Sequence, residues 1–401
     1  MKLTEVLSKY FKGDRVIWGV IFTLSIFSLL AVYSSTGTLA YKYQEGNTAY
    51  YIIKHFVLLV AGLSIIFITH LIPYKYYSRL SQLFLYISIF LLAITLVMGT
   101  SLNQAARWLT LPGLGITIQT SDFAKLALIM YIARVLSLRQ TDKKINDFNG
   151  VFVSLIIPVA IVCGLIMPAN FSTAAILFVT SFLLMFIGRV KVKYLVGISG
   201  VGIMIVALII AGVIISGSKT GRIGTWQNRI ESFASGESED NYQVEQSKIA
   251  IATGGVFGKG PGNSTQRNFL PSPYSDFIYA IIIEEYGLFG GILVLSLYLF
   301  LLYRAGVIVR KSRRTFAAFL AIGLTISLVF QALINMGVAV NIFPVTGQTL
   351  PLISMGGSSI LFSGVAFGII LSVSRSIEKQ EDLITETESE TESVISNEAE
   401  E

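Results

Sequence analysis

The sequence predicts an all-α, polytopic membrane protein of ten transmembrane helices with both termini in the cytoplasm. Three observations predict it. The 401 residues are 53% hydrophobic and only 13% charged, with mean hydropathy +0.70, whereas soluble chains carry about 25% charged residues. Apolar runs of about 18 residues or more, each long enough for a hydrocarbon core of about 30 Å, recur along the whole length. The Lys and Arg residues alternate from one inter-run segment to the next. A β-barrel is disfavoured because the runs are continuously apolar rather than alternating.

The expected spans are 16–34, 51–70, 80–99, 122–138, 151–167, 171–187, 194–216, 277–303, 316–340 and 353–373. The first is too long for a signal h-region and no A-x-A site follows it, so it reads as a retained span. With the N-terminus inside, the inner segments hold 20 of the 30 basic residues, from Lys2, Lys9, Lys12 and Arg15 to Arg375 and Lys379. The short outer loops hold little beyond Lys42 and Arg107. This is the positive-inside pattern. The net charge of +6 then reflects topology and anionic inner-leaflet lipids, not nucleic acid.

Residues 1–376 read as one transmembrane domain. It includes a large outer loop of about 217–275, long enough to hold short helices of its own. Residues 377–401 hold 10 of the 24 acidic residues and read as a disordered cytoplasmic tail. The single cysteine, Cys163, excludes an internal disulfide, and no Cys/His metal cluster exists. His55 and His70, at the two ends of one apolar run, read as interfacial residues.

Charges inside spans cost roughly 2.5–3.5 kcal/mol each on insertion scales and mark candidate sites. They are Lys54, Asp122, Lys125, Glu284 and Glu285, with Asp276 at the edge, and all fall near the outer face. A carrier would place polar groups at the midplane, so the pattern points to chemistry on something delivered outside. Asp122 and Lys125, in "IQTSDFAKLALI", share a helix face. They line an outward cavity or, alternatively, complete a helix start capped by Thr120 or Ser121.

Three outer segments add candidates. In "NQAARWLTLPG", Arg107 suits a phosphate and Trp108 a sugar face or the interface. "ATGGVFGKGPGNSTQRNFLP" carries Lys259 and Arg267 among five glycines; lacking G-x-x-x-x-G-K-[ST] it is no nucleotide loop, but its glycines permit close approach to a ligand or helix. "NIFPVTGQTLPLISMGGSS", with Gln348, Ser354, Gly356 and Gly357, is irregular backbone of the kind tolerated at membrane depth where it lines a cavity. From the residues alone, Asp276 reads equally as a catalytic group or as the cap of the eighth span.

The stretches "AARWL", "SDFAKLAL", "GGVFGKGPGNSTQRNFLPSPYSDFIYAIIIEEYGLFG" and "PVTGQTLPLISMGGSS" resemble the SEDS family (shape, elongation, division and sporulation), which includes FtsW, RodA and SpoVE. Within it they look more like FtsW of the Bacteroidetes type. The chain departs at Gln119-Thr120-Ser121-Asp122, where the family commonly has Gln-Pro-Ser-Glu. It departs again at Asn170, where the family has aspartate, and that position is therefore given no catalytic role.

The resemblance implies a peptidoglycan glycosyltransferase of the bacterial cytoplasmic membrane, at the division septum. It implies Asp276 as general base on the 4-hydroxyl of the acceptor GlcNAc of lipid II, with undecaprenyl pyrophosphate leaving from the donor MurNAc. The leaving group's charge would be met by Arg107, Lys125, Lys248, Lys259 and Arg267, or by a divalent cation (Mg or Mn); no cofactor is assigned. Glu284 and Glu285 tune the site or brace the helix. The implied partners are a class B penicillin-binding protein transpeptidase and divisome proteins. The competing classes are a lipid II flippase, the elongation-type polymerase, and a scaffold that recruits the transpeptidase.

Overall fold

The computed structural model describes residues 11–43, 45–98, 100–102, 105–110, 117–142, 147–197, 199–200, 202 and 239–400. Its helices are α1 (Arg15–Ser35), α2 (Gly37–Tyr43), α3 (Thr48–Leu71), α4 (Tyr74–Met98), α5 (Thr120–Thr141), α6 (Phe148–Ile166), α7 (Phe171–Ile187), α8 (Glu239–Gly254), α9 (Ile278–Lys311), α10 (Thr315–Ala339) and α11 (Gly357–Glu400). Nine of the ten expected spans coincide with helices. The other, 194–216, falls largely outside the described residues.

Among the described residues, seven helices are long and apolar enough to cross a bilayer: α1, α3, α4, α6, α9, α10 and the first part of α11. At 17 residues α7 is shorter. The 22 residues of α5 are long enough at 1.5 Å per residue, but they include Asp122, Lys125, Arg134 and Arg139. Most of α5 is buried, because α4, α7, α10 and α11 surround it. A helix shielded by protein on so many sides need not be apolar all round.

Helices α3 and α11 pack closely at glycines. A Cβ added at Gly364 would lie 2.9 Å from the Gly62 carbonyl, and one at Gly368 would lie 2.7 Å from the Ile66 carbonyl. Small residues let membrane helices approach in this way. At the start of the first span, Asp14 caps α1 by accepting from Val16 and Ile17 N–H and pairs with Arg304 at 2.6 Å.

The spans are helical as expected, and beside them Thr100–Leu102 (β1), Ala105–Thr110 (β2) and Thr117–Gln119 (β3) form a small antiparallel sheet in the order β1-β2-β3. Trp, Thr and Ile in these stretches favour extended backbone, and Pro112, Gly113 and Gly115 separate the last two in sequence. Beyond the last expected span α11 continues as helix to Glu400. It has no glycine or proline after Gly368, and glutamate sustains a helix. His55 and His70 are both buried within the protein. Each is about 1% exposed; His55 hydrogen-bonds Ser28 at 2.8 Å, and His70 lies edge-on to Trp18.

Candidate functional site

The turn that carries Asp276 precedes α9. The N-cap position of α9 is Phe277, and Asp276 stands one residue before it. Asp276 is half-buried, and its Oδ1 accepts from Ser275 Oγ at 2.9 Å. Three successive carbonyls of this turn are held from outside it. Tyr274 O accepts from Met355 N at 2.9 Å, Ser275 O from Ser354 Oγ at 2.7 Å, and Asp276 O from Asn335 Nδ2 at 2.8 Å.

The segment joining α10 to α11 is irregular as expected, and its backbone polar groups are met by side chains. Asn335 Nδ2 also donates to Gln348 O at 2.7 Å. One turn earlier on α10, Gln331 Nε2 donates to Thr349 O at 2.9 Å. Two carboxamides at i, i+4 thus hold two consecutive carbonyls, which satisfies buried backbone that no helix or sheet serves. The Gln348 side chain reaches away to Thr173 Oγ1, 2.7 Å, in the first turn of α7. Ser354 Oγ accepts from Leu350 N at 2.7 Å while donating to Ser275 O.

Gln331 also joins this segment to the charged pair on α5. Its Oε1 accepts from Lys125 Nζ at 2.9 Å, and Lys125 pairs with Asp122 at 2.8 Å. Both charges are buried. The expected Thr120 or Ser121 cap is not seen: the N-cap is Gln119, without a side-chain bond, and Thr120 instead accepts from Thr95 at 3.0 Å. Asp122 Oδ2 has no hydrogen-bond partner among the described residues. Both charges border a small cavity of about 30 Å³ that Gln331, Ser327, Ser359 and Ser363 also line.

The glutamates do something else. Glu284 and Glu285 are buried and clamp the glycine-rich segment onto α9. Glu284 accepts from Lys259 Nζ at 2.6 Å, from Thr265 N at 3.0 Å, and from Ser264 Oγ. Glu285 accepts from Ser264 N at 3.2 Å and from Ser34 Oγ on α1. Arg267 donates to Gly262 O at 3.0 Å and Ser34 O at 3.1 Å.

The backbone joins in. At Gly287 (φ 70°, ψ −173°) α9 breaks its helical path. There Lys259 N and Gly260 N donate to Glu284 O and Glu285 O, and Leu288 N donates to Gly255 O. A Cβ on Gly258 would stand 2.1 Å from Glu285 O. The glycines therefore serve close approach of two backbones, as one of the two sequence readings had it.

The sequence candidates thus divide into groups. Asp276, Gln348, Ser354, Asp122 and Lys125 are linked through α10. Lys259, Arg267, Glu284 and Glu285 form the bracket beside that assembly. Gly356 and Gly357 lie at the start of α11, where Thr349 Oγ1 meets Ser359 Oγ at 2.8 Å. Trp108 lies half-buried in β2; Arg107 is in the same strand, its side chain outside the described residues. Lys248 is exposed on α8. Among the described residues no three of His, Cys, Asp and Glu group so as to hold a metal ion. Gln331 and Asn335, which link the groups, carry no charge, and within the spans only charges marked candidates. Two carboxamides one turn apart in an otherwise apolar helix were the available signal.

Residues 14–379 match the FtsW/RodA/SpoVE family, described as cell cycle protein. The probable peptidoglycan glycosyltransferase FtsW of Aliivibrio salmonicida is 34% identical over 366 residues, covering 90% of this chain and 88% of that protein. The protein of the same description from Coxiella burnetii is 33% identical over 365 residues, covering 89% and 95%. Two solved structures share the fold. A chain from a peptidoglycan synthase complex, described as coordinating polymerization and crosslinking, matches with TM-score 0.67 and 24% identity, covering 91% of this chain and 98% of that one. The rod shape determining protein RodA of Thermus thermophilus matches with TM-score 0.62 and 24% identity, covering 90% and 97%.

Proposed function

This chain belongs to the FtsW/RodA/SpoVE family of cell cycle proteins, and on that premise we propose that it is a SEDS peptidoglycan glycosyltransferase of FtsW type. It polymerises lipid II into β-1,4-linked glycan at the outer face of the bacterial cytoplasmic membrane. Its setting is septal synthesis, its subtype that of the Bacteroidetes, and its partners a class B penicillin-binding protein transpeptidase and the divisome. Residues 1–376 make up the ten-span catalytic unit, with both termini in the cytoplasm. Residues 377–401 form an acidic arm.

The observation that carries the reading is the setting of Asp276: it lies one residue before the N-cap of α9, on a turn whose three carbonyls are each held by a donor from α10 or the segment after it. Asp276 takes the proton of the acceptor GlcNAc 4-hydroxyl as O4 attacks C1 of the donor MurNAc. The bond from C1 to the pyrophosphate oxygen breaks, and undecaprenyl pyrophosphate leaves as the anion. An α-linked donor becomes a β linkage, so one inversion and one base suffice. The departing charge needs positive counter-charge. Of the cations named from the sequence, Lys125 borders the small cavity, held by Asp122 and Gln331, and Lys259 and Arg267 are engaged in the bracket.

The test uses purified protein with its cognate transpeptidase, labelled lipid II and a β-lactam to block crosslinking. Wild type makes glycan polymer and an equally well folded Asp276→Asn makes none. Equal polymer from both removes Asp276 from catalysis. No polymer from either, with lipid II crossing liposomes, replaces the polymerase with a flippase.

A further inference from the structure

Asn335 is a polar residue in an apolar run: from Ala332 to Ala339 the other residues are Ala, Leu, Ile, Met, Gly and Val. It is 1% exposed, and its Oδ1 is buried without a partner among the described residues. A leucine would suit those surroundings without leaving a polar atom unserved. What the amide does must therefore lie in its two N–H groups. They donate to Asp276 O and Gln348 O. Turned over, the amide would set its oxygen against two carbonyls, so this orientation is fixed by the acceptors.

Those two carbonyls belong to different segments, the turn before α9 and the irregular segment after α10. The first intrahelical bonds of α9 run from Ala280 N and Ile281 N to Phe277 O. The Asp276 carbonyl lies one residue outside that ladder and is held from α10 instead. Fixing it fixes the peptide plane between Asp276 and Phe277, and so the direction in which the Asp276 side chain leaves the backbone. Gln331, one turn earlier, carries the same arrangement on to Thr349 O and to Lys125.

We propose that Asn335 is a positioning residue for the polymerisation reaction: by clamping the Asp276 and Gln348 carbonyls together it aims the Asp276 carboxylate at the acceptor hydroxyl, without touching the reacting atoms. The proposal rests on Asp276 being the general base. A misplacement of about 1 Å at a reacting group costs about 10²-fold in rate, whereas binding of the long lipid substrate does not depend on that aim.

The experiment measures polymerisation by the full chain with its transpeptidase over a range of lipid II concentrations. It compares wild type, Asp276→Asn, Asn335→Leu and Asn335→Ser, with folding checked by gel filtration and thermal midpoint. The expected result for Asn335→Leu is kcat lowered about 10- to 100-fold with KM within about two-fold. Asn335→Ser, which restores one donor, falls in between. A folded Asn335→Leu with wild-type kcat, or with raised KM and unchanged kcat, overturns the proposal. If Asn335→Leu does not fold, Asn335→Ser is read by the same criteria. Failure of both to fold makes Asn335 purely structural and overturns it too. Wild-type activity in Asp276→Asn would instead remove the general base, an outcome distinguishable from every result at position 335.

Discussion

Replacing Gly287 with alanine tests the bracket on α9. The residue sits at φ 70°, ψ −173°, a region essentially reserved for glycine, so the backbone alone costs about 1–3 kcal/mol. The new Cβ would lie 2.1 Å from Val256 O and 2.6 Å from Gly258 N. Restoring even 3.4 Å to that oxygen moves the segment by 1.3 Å, the difference between those distances. That breaks the bonds from Leu288 N to Gly255 O and from Phe289 N to Val256 O, each worth about 0.5–1.5 kcal/mol net.

The sum is about 2–6 kcal/mol, enough to lower the denaturation midpoint in detergent by several degrees. The control lies on the same helix: Gly306 has nothing within 4 Å of a new Cβ, so Gly306→Ala gains up to about 1 kcal/mol from helix propensity. Both variants would be followed by thermal denaturation and by lipid II polymerisation. A Gly287→Ala protein with wild-type midpoint and activity would refute the reasoning.

Two further outcomes follow from burial. Lys125→Met strands Asp122 in the interior and costs about 3–5 kcal/mol. Adding Asp122→Asn recovers most of that in a double-mutant cycle but does not restore polymerisation; full additivity would show that the pair is not coupled. Gly368→Val, whose Cβ would lie 2.7 Å from Ile66 O, costs about 1–3 kcal/mol or more from overpacking. Gly164→Val, open on all sides, leaves the midpoint within about 0.5 kcal/mol of wild type.

The spans were legible because a bilayer imposes length and apolarity on any helix that crosses it. Even α5 was found, although its charges depress its hydropathy, because Leu126–Ile132 is an unbroken apolar run. The β1-β2-β3 sheet was not found. Its strands are three to six residues long, shorter than the patterns that announce a strand. Pairing of Asp122 with Lys125 was legible from i, i+3 spacing. The fate of Glu284, eight residues after Asp276, was not. Spacing says nothing of which carboxylate is consumed by a segment folding back 20 residues earlier, and the serine and threonine donors that consume Glu284 look like ordinary loop residues. Asn335 and Gln331 escaped for a related reason: a neutral amide costs little in composition, and its importance lies in which carbonyls it meets.

The bracket also bears on how the chain is made. Glu284 and Glu285 belong to a span, where an unaccompanied charge would cost roughly 2.5–3.5 kcal/mol on insertion. Every donor that meets Glu284 here (Lys259, Ser264, Thr265 and Gln266) precedes it in sequence, and Ser34, which meets Glu285, lies 251 residues earlier. Synthesis runs from the N-terminus, so the groups that stand in for water are already translated when the glutamates emerge. Helix α9 thus arrives at the membrane with its solvation supplied by older parts of the same chain.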